Sequence, residues 1–91
     1  MPYIDPAEQA RLLPFIRSLS PEIRTGGELN FAITVLAGSH VLKMAGLEQP
    51  RYDDYKAVVG DMVCALLEFY RVKVAPYEDE KRKLNGDTPV L

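Results

Sequence analysis

Apolar residues recur at helical spacing in two long runs, and only the short stretch 46–50 separates them. In the first run Leu29, Ile33, Leu36, His40 and Met44 share one face, while Phe31, Val35 and Leu42 share the opposite one, with Gly38 and Ala45 beside them. A helix apolar on two sides must be covered on two sides. "TGGE" places Thr25 at an N-cap and Glu28 three residues on, the spacing of a capping box. Gly46 supplies a residue able to leave the helix with a positive φ. The spacing therefore predicts a helix over 26–45. The second run comprises Tyr52, Tyr55, Val59, Met62, Leu66, Phe69, Tyr70 and Tyr77, with Ala57, Gly60, Cys64 and Ala75 on a small-residue back face. It predicts a helix over 51–84, kinked or broken near Pro76, because proline removes one backbone bond and crowds the preceding turn. Asn85-Gly86 is its expected stop. Two helices joined by so short a break form an antiparallel hairpin, and the fold class is all-α.

The N-terminal segment is punctuated by proline. Asp5 is placed to cap a helix with Pro6 at its first position, and Ser20-Pro21 repeats the arrangement. Pro14 is expected to interrupt, leaving short helical pieces over 6–18 and 21–24. The chain reads as a single helical domain over 1–91. At 1.5 Å per residue the second long helix would run about 50 Å and the first would cover about 30 Å of it. Its far end must lie against the N-terminal segment, another subunit or water. A chain of this size buries only ~60–65% of its unfolded surface. With one cysteine it has no internal disulfide to compensate, so a homo-oligomer is the expected way to enlarge the core.

Charge excludes some function classes. Eleven Lys and Arg stand against 13 Asp and Glu, a net of -2, which lacks the basic excess of a dedicated nucleic-acid binder. The start "MPYIDPAEQ" has no basic segment followed by an apolar run, and no apolar stretch is long enough to span a bilayer. A cytoplasmic protein with no membrane partner is expected. One histidine and one cysteine make no zinc or iron cluster, so neither metal nor cofactor is expected. His40 and Cys64 read as core or interface residues.

Other polar groups have local explanations. Asp53-Asp54 suits a helix start and Asp61 a polar edge. "RTGGELN" could cradle an anion at a helix N-terminus, but Glu28 competes there with its own charge. Glu68 and Arg71 are spaced as an intrahelical ion pair, yet fall on the small-residue face, which points to an interface or a pocket. In "PYEDEKRKLNGD", acids first and bases later match the helix dipole. That order accounts for Glu78 to Lys83 as a solvated helix end. It does not account for Tyr77, which prolongs the apolar stripe past Pro76, nor for Tyr70 and Arg71 upstream. Tyrosine, arginine and lysine at helical spacing, here Tyr70, Arg71, Tyr77 and Lys81, can stack on a base and pair with phosphate.

Several segments together carry a resemblance: "MPYI" at 1–4, "GELNFAIT" at 27–34, "EFYR" at 68–71, and "PYEDEK" at 76–81 followed by "NGD" at 85–87. In these the chain resembles an uncharacterised family of small proteins found in bacteria and phages, one without an assigned activity. The resemblance implies a retained set: Gly27, Glu28, Asn30, Thr34, Glu68, Tyr70, Arg71, Pro76, Tyr77, Glu78, Lys81, Asn85, Gly86 and Asp87. Polar and aromatic residues dominate it, where a packing motif would be more apolar. Phe31, Val72 and the tail "NGDTPVL" depart from the pattern, the first two by a hydroxyl and a charge.

From these readings the expected function is a non-catalytic, oligomeric binding protein of phage or bacterial type. Its ligand would be a small anionic, nucleotide-like molecule. The candidate ligand-binding residues are Asn30, Thr34, Glu68, Tyr70, Arg71, Tyr77, Glu78, Lys81, Asn85 and Asp87. The alternative is an adaptor or assembly factor that meets a host protein through the C-terminal motif. A small hydrolase is a distant third, since acids are present but no nucleophile–base pair is evident, and no catalytic residue is assigned.

Overall fold

A computed structural model describes residues 2–89. Met1, Val90 and Leu91, which lie at the outer ends of two of the quoted motifs, fall outside the described residues. The described residues form helices joined by short turns, with no strand among them. The order is α1 (Pro6–Leu19), a 3₁₀ turn (Ser20–Glu22), α2 (Gly26–Ala45), α3 (Tyr52–Phe69), a π-helical segment (Tyr70–Val74) and α4 (Ala75–Asn85).

Local capping chemistry fixes the boundaries. The Asp5 carboxylate accepts a bond from Ala7 N–H at 3.0 Å, with Pro6 at the first position of α1. Thr25 Oγ1 accepts from Glu28 N–H at 3.1 Å, and the Glu28 carboxylate accepts from Arg24 N–H at 2.7 Å, one residue before the cap itself. At the start of α3, Asp54 accepts from Arg51 N–H at 2.9 Å. Gly46 closes α2 with φ 66° and ψ −121°, a region that side-chain-bearing residues avoid. Gly46→Val is expected to destabilise the hairpin by roughly 1–3 kcal/mol, a loss measurable by urea denaturation.

Pro14 does not interrupt α1, contrary to expectation: the helix is continuous from Pro6 to Leu19. The ring removes one hydrogen bond, but Ala10, whose carbonyl loses it, is exposed and can be solvated. After Ser20-Pro21 the chain makes a 3₁₀ turn over Ser20–Glu22, shorter than the piece expected over 21–24.

α2 and α3 form the hairpin and touch each other. Its core is small. Val41 at 4% exposure and Val58 at 5% are the buried side chains, flanked by the half-buried Ala37, Ala45 and Asp54. Neither expected apolar stripe of α2 is the packed one. The contact uses Ala37, Val41 and Ala45, which lie between the two stripes and let the helices approach closely. In α3 the burial centres on Val58, one residue from the expected stripe, and leaves Tyr55, Val59, Leu66 and Phe69 exposed. His40 and Cys64 are both exposed. Among the described residues the backbone of α1 comes close to the 3₁₀ turn that follows it and to no other helix. The radius of gyration is 17.3 Å, against about 12 Å for a compact domain of this length. No helix among the described residues is long and apolar enough to cross a membrane.

Candidate binding site around the α3–α4 junction

Pro76 is where this region takes its shape. It has no N–H to donate, and its ring would clash with the carbonyl four residues back, that of Val72. The chain accommodates this by widening the preceding turn: over Tyr70–Val74 the helix is π-helical, and Ala75 N–H donates to the Tyr70 carbonyl, five residues back. The helix neither breaks nor stops at Pro76; it continues as α4 to Asn85. Wide turns of this kind recur at functional sites because they re-aim side chains at a cost in hydrogen-bond geometry.

Here the re-aimed side chains are the two tyrosines and their partners. Tyr70 Oη donates to Glu78 Oε2 at 2.7 Å, a bond that spans the whole π segment. That bond, and the negative charge at its far end, raise the Tyr70 phenol above its ordinary value. Lys81 Nζ stands 5.6 Å from the Tyr77 ring centroid, within cation–π range. At the end of α4, Gly86 turns with φ 83° and donates its N–H to the Arg82 carbonyl at 2.8 Å. Asp87 then folds back to meet Arg82 Nε at 2.9 Å. The result is an open groove of about 300 Å³ lined by Glu78, Lys81, Arg82, Asn85, Gly86 and Thr88.

On the other side of the π segment, Arg71 donates to Glu68 through Nη2 at 2.5 Å and Nε at 3.3 Å, a two-pronged pair. Tyr3 Oη donates to the same carboxylate, so the N-terminal arm lies against the end of α3. The N-terminal arm thus touches the long helix at this point, while Leu66, Phe69, Tyr77 and Leu84 stay exposed. The Arg71 bond, then the Tyr3 bond, hold the Glu68 carboxyl below the usual range. The Tyr3 phenol is raised by its bond to Glu68, and Arg71 is held charged by the same carboxylate. Pro2, Tyr3, Cys64, Leu67, Glu68 and Arg71 line a second open groove of about 350 Å³.

These shifts set a pH window for the arm. A depressed Glu68 contributes stability above its ordinary value of 4.5 and loses it as pH falls through the depressed value. The raised Tyr3 contributes below its ordinary value of 10.0 and loses it as pH rises through the raised value. Protection of the arm's amides against hydrogen exchange, taken relative to the intrinsic rate at each pH, is expected to be greatest between these limits and to fall beyond both. A profile flat across the acid limit would show that Glu68 does not hold the arm.

The ten expected site residues divide into three groups. Tyr70, Tyr77, Glu78, Lys81, Asn85 and Asp87 gather along the π segment and α4. Glu68 and Arg71 form the pair at the end of α3. Asn30 and Thr34 stand apart: Thr34 Oγ1 donates to the Asn30 carbonyl at 2.8 Å, and α2 touches neither the π segment nor α4 among the described residues. Two participants escape the ten. Tyr3 is 65 residues from its partner, and only its place in "MPYI" singles it out. Arg82 reads as a helix-end charge, yet it lines the groove and ties Asp87 down. In the "RTGGELN" turn Thr25 takes the Glu28 N–H, and the Glu28 carboxylate itself stands at the helix start, bonded to Arg24 N–H. Among the described residues no three His, Cys, Asp or Glu side chains gather as metal ligands would.

A family model described as "Domain of unknown function (DUF6899)" matches residues 1–88. No curated protein and no solved structure matches the chain.

Proposed function

We propose that this chain, which belongs to the DUF6899 family, is a non-catalytic, oligomeric binding protein whose ligand is a small anionic molecule with a planar ring, of nucleotide type. One observation carries the reading: around the π turn the exposed Tyr70 and Tyr77 stand with the Lys81 ammonium over the Tyr77 ring, and Arg71 stands exposed on the other side of the segment. Rings supply a stacking platform and the cations supply phosphate contacts. Arg71 spends two of its five N–H donors on Glu68, and its side chain remains 69% exposed, so donors are left for a ligand. Glu68 and Glu78 offset part of the positive charge, which suits one or two phosphates rather than a polyphosphate chain. A phage or bacterial setting, in which such a protein would sequester a signalling nucleotide, is the context that fits. Asn30 and Thr34 would enter such a site only from another subunit.

The adaptor reading has its own support. Tyr77 and Leu84 are exposed on α4 beside a block of acids and a block of bases, apolar anchors with a polar surround as in a protein contact patch. Native mass spectrometry, followed by denaturation and mass analysis of released molecules, separates the two readings. A released nucleotide-like mass supports the first. Arg71→Ala is then expected to weaken its binding about tenfold or more, and Tyr77→Ala about fivefold to a hundredfold. A protein that releases nothing and binds no member of a nucleotide panel would overturn the ligand reading and leave the adaptor.

A further inference from the structure

The chain exposes far more surface than a compact monomer of its mass, and large apolar side chains are prominent in it. Its accessible area is 8172 Å², where a folded monomer of 10.2 kDa has about 5,300 Å², an excess of about 2,900 Å². Two copies covering that excess would bury about 5,800 Å² together, which falls in the class of obligate interfaces. The surface is organised as well as large. Helical rotation of about 100° per residue, taken from the buried Val41 and Val58, sets Phe31, Val35 and Leu42 of α2 on the same side of the hairpin as Val59, Val63 and Leu66 of α3. All six are exposed. On α3 that stripe runs from Tyr52 to Tyr70, and Lys56 at its edge is the charged residue beside it. Leu12, Phe15, Ile16 and Leu19 form a second exposed stripe along α1, whose backbone no other helix among the described residues approaches closely.

We infer that a second copy of this chain covers that side of the hairpin, so that two hairpins close into a four-helix bundle, with each α1 reaching onto the other copy. The occupant is a second copy because the missing cover is apolar, helical and about as large as what the chain itself offers. An isologous interface needs such self-complementarity. A net charge of -2 per copy opposes pairing little. Neither a disulfide nor, among the described residues, a metal cluster is there to replace the missing core. Leu67 stands one turn before Arg71, so the rim of the interface runs alongside the candidate ligand site. This inference specifies the oligomer of the proposed function and is independent of its ligand.

Sedimentation velocity and thermal melts across a dilution series test it. The expected mass is twice the 10.2 kDa chain mass, with a melting temperature that falls on dilution. Leu66→Glu and Phe31→Glu are expected to abolish the dimer, whether the product is a monomer or unfolded. Lys43→Glu, away from the stripe, is expected to keep it. A folded wild-type monomer whose melting temperature is unchanged by dilution would overturn the inference. So would an assembly that survives both stripe substitutions. A dimer that releases no small molecule would sink the ligand reading alone, and a monomer that carries one would sink the dimer alone.

Discussion

Val58→Asp is expected to destroy the hairpin, while Val59→Asp, one residue along, is expected to act on assembly instead. Val58 is 5% exposed and Val59 53% exposed, so of two neighbouring valines one lies inside the hairpin and one on its surface. A carboxylate at Val58 would stand against α2 with no cation to meet it, at a cost on the order of 3–5 kcal/mol. A small domain has about that much stability in total. Circular dichroism should therefore show Val58→Asp largely unfolded at every protein concentration. In the Val59 variant, helical signal that weakens on dilution should return as the concentration rises. If both variants unfolded alike and neither responded to concentration, the division of α3 into an internal and an external face would be wrong.

Pro76→Ala is expected to strengthen the helix and weaken whatever binds there. Alanine restores an N–H and removes the ring, so the reason for the wide turn at Tyr70–Val74 disappears. The gain in helix stability is roughly 1–2 kcal/mol after allowing for the larger entropy of the unfolded chain. Closing the turn would rotate α4 by about 100° relative to α3, the step of one helical residue. Glu78 would leave Tyr70, and the surface that Tyr77 and Lys81 present would turn relative to Tyr70 and Arg71. A higher melting temperature together with a large loss of ligand or partner is the expected pair of results. Retention of the Ala75-to-Tyr70 hydrogen bond in the variant would show that something other than Pro76 imposes the π turn. Tyr70→Phe separates the contributions: it removes one hydrogen bond and leaves the backbone alone.

Much of the helical layout is legible in the residues themselves. The boundaries of α2 follow from Thr25, Glu28 and Gly46, and the end of α4 follows from Asn85-Gly86. Those signals act over a few residues, through bonds that the backbone makes with its near neighbours. Proline is the less reliable signal. Pro14 has the spacing of a break and makes none, because an exposed helix can leave a carbonyl to water. Pro76 has the marks of a kink or break; the helix does not break, and the chain adds a residue to the turn before it. In the candidate site, Tyr70, Tyr77, Glu78 and Lys81 stand together in sequence and in space. Asn30 and Thr34, which the family resemblance groups with them, do not join them within one chain.

Composition and spacing alone settle that this chain is helical, where its helices start and stop, and that its apolar residues outnumber what one hairpin can hide. Each of these depends on local bonds or on a count. Which face of each helix is buried depends on distant partners. The stripes of large residues on α2 are the natural candidates, yet the helices meet through Ala37, Val41 and Ala45, because small side chains allow the closer approach. That choice leaves the large residues outside. The contact of Tyr3 with Glu68 and Arg71 depends in the same way on where the N-terminal arm comes to rest, and no spacing in the sequence encodes a separation of 65 residues.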